Sequence, residues 1–172
     1  MSRIATLVVL VVPLIATIGC KKGAQFKEFS SAEGRFKVLM PGAPKEQAQA
    51  AGPITMKNFM IEEKDGAYMA SFAELPIAAN EPDAMTQQRL DGSRDGALRN
   101  TNAKLKKESK ITLAGKYPGR EIEADLPGGK GIVRARVWIV NQRLYMVQVI
   151  GTAAWASSND ANKFLDSFTL IQ

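Results

Sequence analysis

Residues 131–151 read GIVRARVWIVNQRLYMVQVIG, and this stretch decides the fold. Two runs rich in Val, Ile, Trp and Tyr, 132–140 and 144–150, flank Asn141-Gln142, which can supply the turn between two strands. A two-residue loop sets Ile139 opposite Leu144, Val137 opposite Met146 and Ala135 opposite Gln148. Side chains alternate along a strand, so Val133, Ala135, Val137, Ile139, Leu144 and Met146 share one apolar face. The other face carries Arg134, Arg136, Trp138, Tyr145, Val147 and Val149.

Working back from this hairpin, Pro127-Gly128-Gly129-Lys130-Gly131 is a turn, and 120–126 is the preceding strand. That strand has Arg120, Ile122, Ala124 and Leu126 on one side and Glu121, Glu123 and Asp125 on the other. Gly115 to Gly119 reads as a tight connection from a further strand at 104–114, where Leu105, Ile111 and Leu113 sit among lysines. Pro82 and Asp83 favour a helix start, and 83–100 suits a helix. Gly92 and Gly96 weaken it, and its apolar residues draw no sharp stripe; it is expected to lie on a sheet face. Residues 54–62 and 67–75 form a second hairpin across Lys64-Asp65-Gly66. The Ala/Gln-rich stretch 45–52 reads as a surface loop, and two short strands, 26–30 and 35–40, flank a turn ending in Gly34. Beyond the central hairpin, Ser157 to Asp160 offer helix caps. Ala161, Phe164, Leu165 and Phe168 then fall at i, i+3, i+4 and i+7, one face of a helix, before an edge strand at 168–171. Hairpins outnumber helices, and the helices come late and separately. The expectation is an α+β domain, a mostly antiparallel sheet flanked by helices. A lipocalin-like barrel is the alternative, and the mid-chain helix counts against it.

The 172 residues are enough for one domain with a sizeable core. A single cysteine excludes an internal disulfide, and the lack of any histidine removes His-based triads and His-containing metal sites. The net charge of +6 is concentrated in Lys104, Lys106, Lys107, Lys110, Lys116 and Arg120, opposed in that window only by Glu108. Such a run is either a solvated strand edge or a docking surface for an acidic partner or anionic head groups. No nucleic-acid-binding motif accompanies it, so nucleic acid is not expected as a partner.

The N-terminus carries an address. After Arg3, residues 4–18 are almost unbroken apolar sequence, too short to span a bilayer comfortably and shaped like a secretory signal. The run ends Thr17-Ile18-Gly19-Cys20, which resembles a bacterial lipoprotein signal; Thr17 stands where a leucine-like residue is usual. That resemblance implies cleavage between Gly19 and Cys20 and lipidation of Cys20, with 1–19 as signal peptide, 20–25 as lipidated tether and 26–172 as the folded domain. Several acyl chains would hold it durably on a membrane. Lys21 in place of an aspartate implies the outer membrane, facing the periplasm.

Few residues suggest chemistry. Gly128-Gly129-Lys130-Gly131 lacks P-loop spacing and precedes a strand, so it is a turn. Glu121, Glu123 and Asp125 lie on one strand face with nothing converging on them, and Ser157 and Ser158 have no histidine to activate them. No catalytic residue, metal site or cofactor is expected. Trp138, Tyr145, Arg134 and Arg136 are the candidate binding residues, because aromatic rings beside guanidinium groups suit anionic or planar partners. The competing reading is that a helix covers this face and the arginines reach past it.

FKVLMPGAP (36–44), LAGKYPGRE (113–121), Arg143-Leu144-Tyr145 and FLDSF (164–168) together resemble small bacterial lipoproteins with a PsbP-like domain, an α/β/α sandwich. The likeness spans about residues 26–171 and its motifs are structural. It implies a non-enzymatic envelope lipoprotein docking on an unknown protein partner or complex at the membrane surface. A small-molecule ligand on the aromatic and arginine face is the alternative.

Overall fold

The computed structural model describes residues 25–77 and 82–171. Gly19, Cys20 and the signal they belong to lie outside those residues. Strands β1 (Lys27–Ser31), β2 (Phe36–Met40), β3 (Lys45–Ala51), β4 (Ile54–Glu63) and β5 (Gly66–Glu74) lead to helix α1 (Asp83–Thr101). Then follow β6 (Lys104–Leu113), β7 (Tyr117–Asp125), a 3-10 turn at Pro127–Gly129, β8 (Ile132–Val140) and β9 (Arg143–Gly151). Helices α2 (Ala153–Ala156) and α3 (Asn159–Asp166) and strand β10 (Thr169–Leu170) close the chain.

Seven strands form one open sheet in the order β3-β4-β5-β9-β8-β7-β6, every neighbouring pair antiparallel. A smaller sheet, β1-β2-β10, lies against it. The architecture is α+β and mostly antiparallel; β3 and β6 are separate edges, so the barrel alternative is set aside. The central hairpin has the register its sequence implies: Ile139 faces Leu144, Val137 faces Met146 and Ala135 faces Gln148. Asn141 takes the positive φ of 53° in the turn, a conformation asparagine tolerates.

Each face of the large sheet buries a different layer. On one, Phe36, Val38 and Met40 of β2 and Phe164, Leu165 and Phe168 pack over Trp138, Tyr145, Val147 and Val149. The amphipathic spacing of α3 drives this, and Ser158 caps it by accepting from the Ala161 N–H at 3.2 Å. On the other face α1 contributes one fully buried residue, Leu90, to a layer of Ile122, Val137, Ile139 and Leu144.

Two expectations are corrected here. Residues 45–52 are not a loop: Lys45–Ala51 is strand β3, paired along its length with β4. Ala and Gln have weak strand propensity, and the exposed edge of β4 overrides it. The connection read at 115–119 is also shorter, because Tyr117, Pro118 and Gly119 already belong to β7. Pro118 lies opposite Thr112 of β6 near the strand's start, before pairing with β8 begins at Gly119, where a missing N–H is tolerated.

Helix α1 is held largely by charge. Arg120, with its side chain 6% exposed, reaches Asp91 at 3.1 Å and Glu108 at 3.1 Å, while Arg94 pairs with Asp95 at 2.8 Å and Glu108 at 2.9 Å. The Arg94 hydrogen bond holds the Asp95 carboxyl below its ordinary pKa. Its contribution is therefore complete above the unfolded carboxylate value, about 4, and is lost as pH falls through the lower folded value. A Cβ built at Gly92 meets nothing within 4 Å. Gly92→Ala is accordingly expected to raise stability by up to about 1 kcal/mol, the helix-propensity difference, read as a shift of the urea midpoint with unchanged slope.

Candidate functional site

The four candidate residues on the central hairpin lie together, but beneath the second layer. Trp138 is 3% exposed and Tyr145 2%. The indole stacks on Phe168, centroids 5.1 Å apart and planes at 13°, and the Tyr145 hydroxyl donates to the Gly34 carbonyl at 2.8 Å. An exposed aromatic patch at these positions is therefore corrected: α3 and β2 supply enough apolar surface to cover it. The arginines do structural work at the rim. Arg134 donates to the Ala156 carbonyl at 3.0 Å and to Asn162 Oδ1 at 2.8 Å. Arg136 donates to the Leu165 carbonyl at 3.0 Å and pairs with Glu121 at 2.9 Å and Asp166 at 2.8 Å. Both guanidinium groups thus meet the C-terminal carbonyls of the short helices, where positive charge is favoured.

The acidic face of β7 is similarly paired. Glu121 answers Arg136, and Glu123 answers Lys106 at 2.8 Å, a contact that holds the Glu123 carboxyl below its usual range. Among the described residues no group of three or more His, Cys, Asp or Glu is placed to hold a metal.

The space lies on the opposite face. Helix α1 packs most closely over β7 and β8, and its second half faces β9, β5, β4 and β3 across a gap. The result is a cleft of about 780 Å³, within the range of small-molecule sites. Its floor follows from the register: Asn58 lies opposite Ser71 and Ser71 opposite Met146, while Met69 lies opposite Gln148. Met56 and Leu144 extend it, and Gly92, Ser93, Gly96 and Ala97 of α1 form the wall. Small side chains on that helix face keep the wall low; large ones would fill the cleft.

Polar groups are built into this floor. Asn58 lines it and accepts at Oδ1 from the hydroxyl of Ser71, which is fully buried behind the lining, at 2.7 Å. Asn58 and Gln148 are each only 7% exposed. Sequence reading missed the cleft, although one signal was present: a sheet-covering helix without an apolar stripe cannot seal the sheet beneath it.

No family model matches the chain, and no curated protein matches it. Among solved structures, it is similar to the solution structure of cyanobacterial PsbP (CyanoP) from Synechocystis sp. PCC 6803. The two share 14% sequence identity with a TM-score of 0.57 over 91% of this chain and 98% of that one. The fold is PsbP-like.

Proposed function

We propose that this protein is a lipid-anchored envelope protein that works by binding rather than by catalysis, and that the cleft beside α1 is where it binds a small molecule. Two polar side chains in the cleft's floor, Asn58 and Gln148, each more than nine-tenths buried among methionines, are the observation that carries this reading. The absence of histidine from the whole sequence supports binding over acid–base chemistry near neutral pH. The address rests on Gly19-Cys20 at the end of an apolar run, with Lys21 favouring the outer membrane. Cys20→Ser is expected to lose the acyl mass and membrane association together; an unchanged mass would end the anchor proposal.

The binding site is tested by purifying the full-length processed protein natively from its envelope, beside a Gly92→Trp variant that fills the cleft. Native mass spectrometry is expected to show a small molecule retained by the parent and missing from the variant. Identical contents, bound or empty, would overturn the assignment.

Docking on an envelope protein is the second reading, favoured by one observation. Lys104, Lys107 and Lys110 are exposed on β6, an unpaired sheet edge. Charge there suits an acidic partner, and it also keeps an edge strand from pairing with copies of itself. Crosslinking in the envelope separates the two roles: a single saturable partner lost on Lys107→Glu supports docking.

A further inference from the structure

We propose that the cleft takes a small amphipathic anion, a flexible apolar chain ending in a carboxylate. This deepens the binding reading above and rests on it.

Gln148 is the first observation. It lines the cleft and is 7% exposed overall; its side-chain amide has no hydrogen-bond partner among the described residues but is not sealed from solvent, so it opens on the cleft. Its neighbours across the sheet show that this is not the rule there, since Ser71 and Asn58 satisfy each other. An amide that opens on a cleft rather than on a protein partner offers both an acceptor and two donors to whatever enters. A ligand oxygen beside Gln148 would take the place of water on that amide.

The rest of the lining describes the ligand's two ends. Met56, Met69 and Met146 give the floor three thioether side chains, which adapt to flexible apolar groups better than branched residues do. Among the described residues, the charged side chains that line the cleft are Arg89 and Arg99. An anion finds Arg99, whose guanidinium suits a carboxylate through paired N–H donors. Arg99 lies at the exposed mouth and is in no ion pair among the described residues, although its charge reaches Asp95. Shape points the same way. Lining residues of α1 run from Arg89 to Thr101, about 18 Å of helix at 1.5 Å per residue, so the site is elongated.

The test uses the full-length processed protein in phospholipid nanodiscs, titrated calorimetrically with decanoate and with decanol. Gly92→Trp in the same nanodiscs supplies the heat of partition into lipid. Decanoate is expected to give a saturable isotherm of one site per chain that Gly92→Trp abolishes, with decanol at least about ten-fold weaker. Arg99→Gln is expected to weaken decanoate about ten-fold and to leave decanol unchanged. Gly96→Leu is a second blocking variant; a Cβ there comes no nearer than 4.0 Å to its closest neighbour, Arg99 Nη2, and melting curves confirm that either variant is folded. Equal binding of decanol and decanoate, both lost on blocking, would overturn the anionic assignment and keep the cleft as a site. No difference between the parent and both folded blocking variants would overturn the site and its ligand class together.

Discussion

Phe36→Ala is expected to cost about 3–5 kcal/mol of unfolding free energy, measured by urea denaturation at constant slope. Phe36 has no exposed surface and is the ring on which the two sheets meet. It stacks on Phe168 with centroids 5.3 Å apart, and meets Phe59 at 5.9 Å and Tyr145 at 6.2 Å edge-on. Truncation removes the ring's transfer energy and leaves a cavity whose walls belong to four different strands and the segment after α3. Such walls cannot all relax inward. Phe36→Leu, which keeps most of the volume, should lose clearly less. A loss below about 1 kcal/mol for the alanine variant would show that the second layer is not a packed core.

The second large effect is expected at Gly131, where the chain turns into β8. A Cβ there would stand 1.9 Å from the Gly151 carbonyl oxygen, and φ is 145°, a conformation L-residues rarely adopt. Overpacking and backbone strain together put Gly131→Ala at about 3 kcal/mol destabilising. Gly129→Ala is the internal comparison, since Gly129 also has a positive φ, 68°, but nothing within 4 Å of a Cβ. It should cost only about 1–2 kcal/mol, the penalty of the left-handed backbone alone. Thermal melts of the two variants, measured side by side, separate contact from conformation. Equal shifts would mean that the β8–β9 junction gives way easily.

The central hairpin was legible because two independent signals agree in it. β-Branched and aromatic residues mark both strands, and alternation leaves one register for a two-residue turn. The closing helix was legible for the same reason, its four apolar residues matching one helical face. What neither pattern gives alone is their meeting. The Trp138 and Tyr145 face and the Ala161, Phe164, Leu165 and Phe168 face are each apolar, and burial of both follows only when one is laid on the other. Strand β3 hid because Gln47, Ala48, Gln49 and Ala50 owe their conformation to β4. The cleft hid because it is formed by what α1 fails to cover.

The small sheet gives the molecule a particular order of events. Strand β10 pairs with β2, and the Leu39 N–H donates to the Ser167 hydroxyl at 2.8 Å across 128 residues of chain. The β1-β2 hairpin therefore finds its permanent neighbours in chain made more than a hundred residues later. Contacts of such long range close slowly, on the millisecond-to-second scale typical of sheet-rich topologies. Until α3 and β10 emerge, the Phe36 ring of β2 lacks Phe164, Leu165 and Phe168 as neighbours. The small sheet thus closes over the large one only after α3 and β10 are available, so a chain stopped short of them would show its aromatic sheet face to solvent.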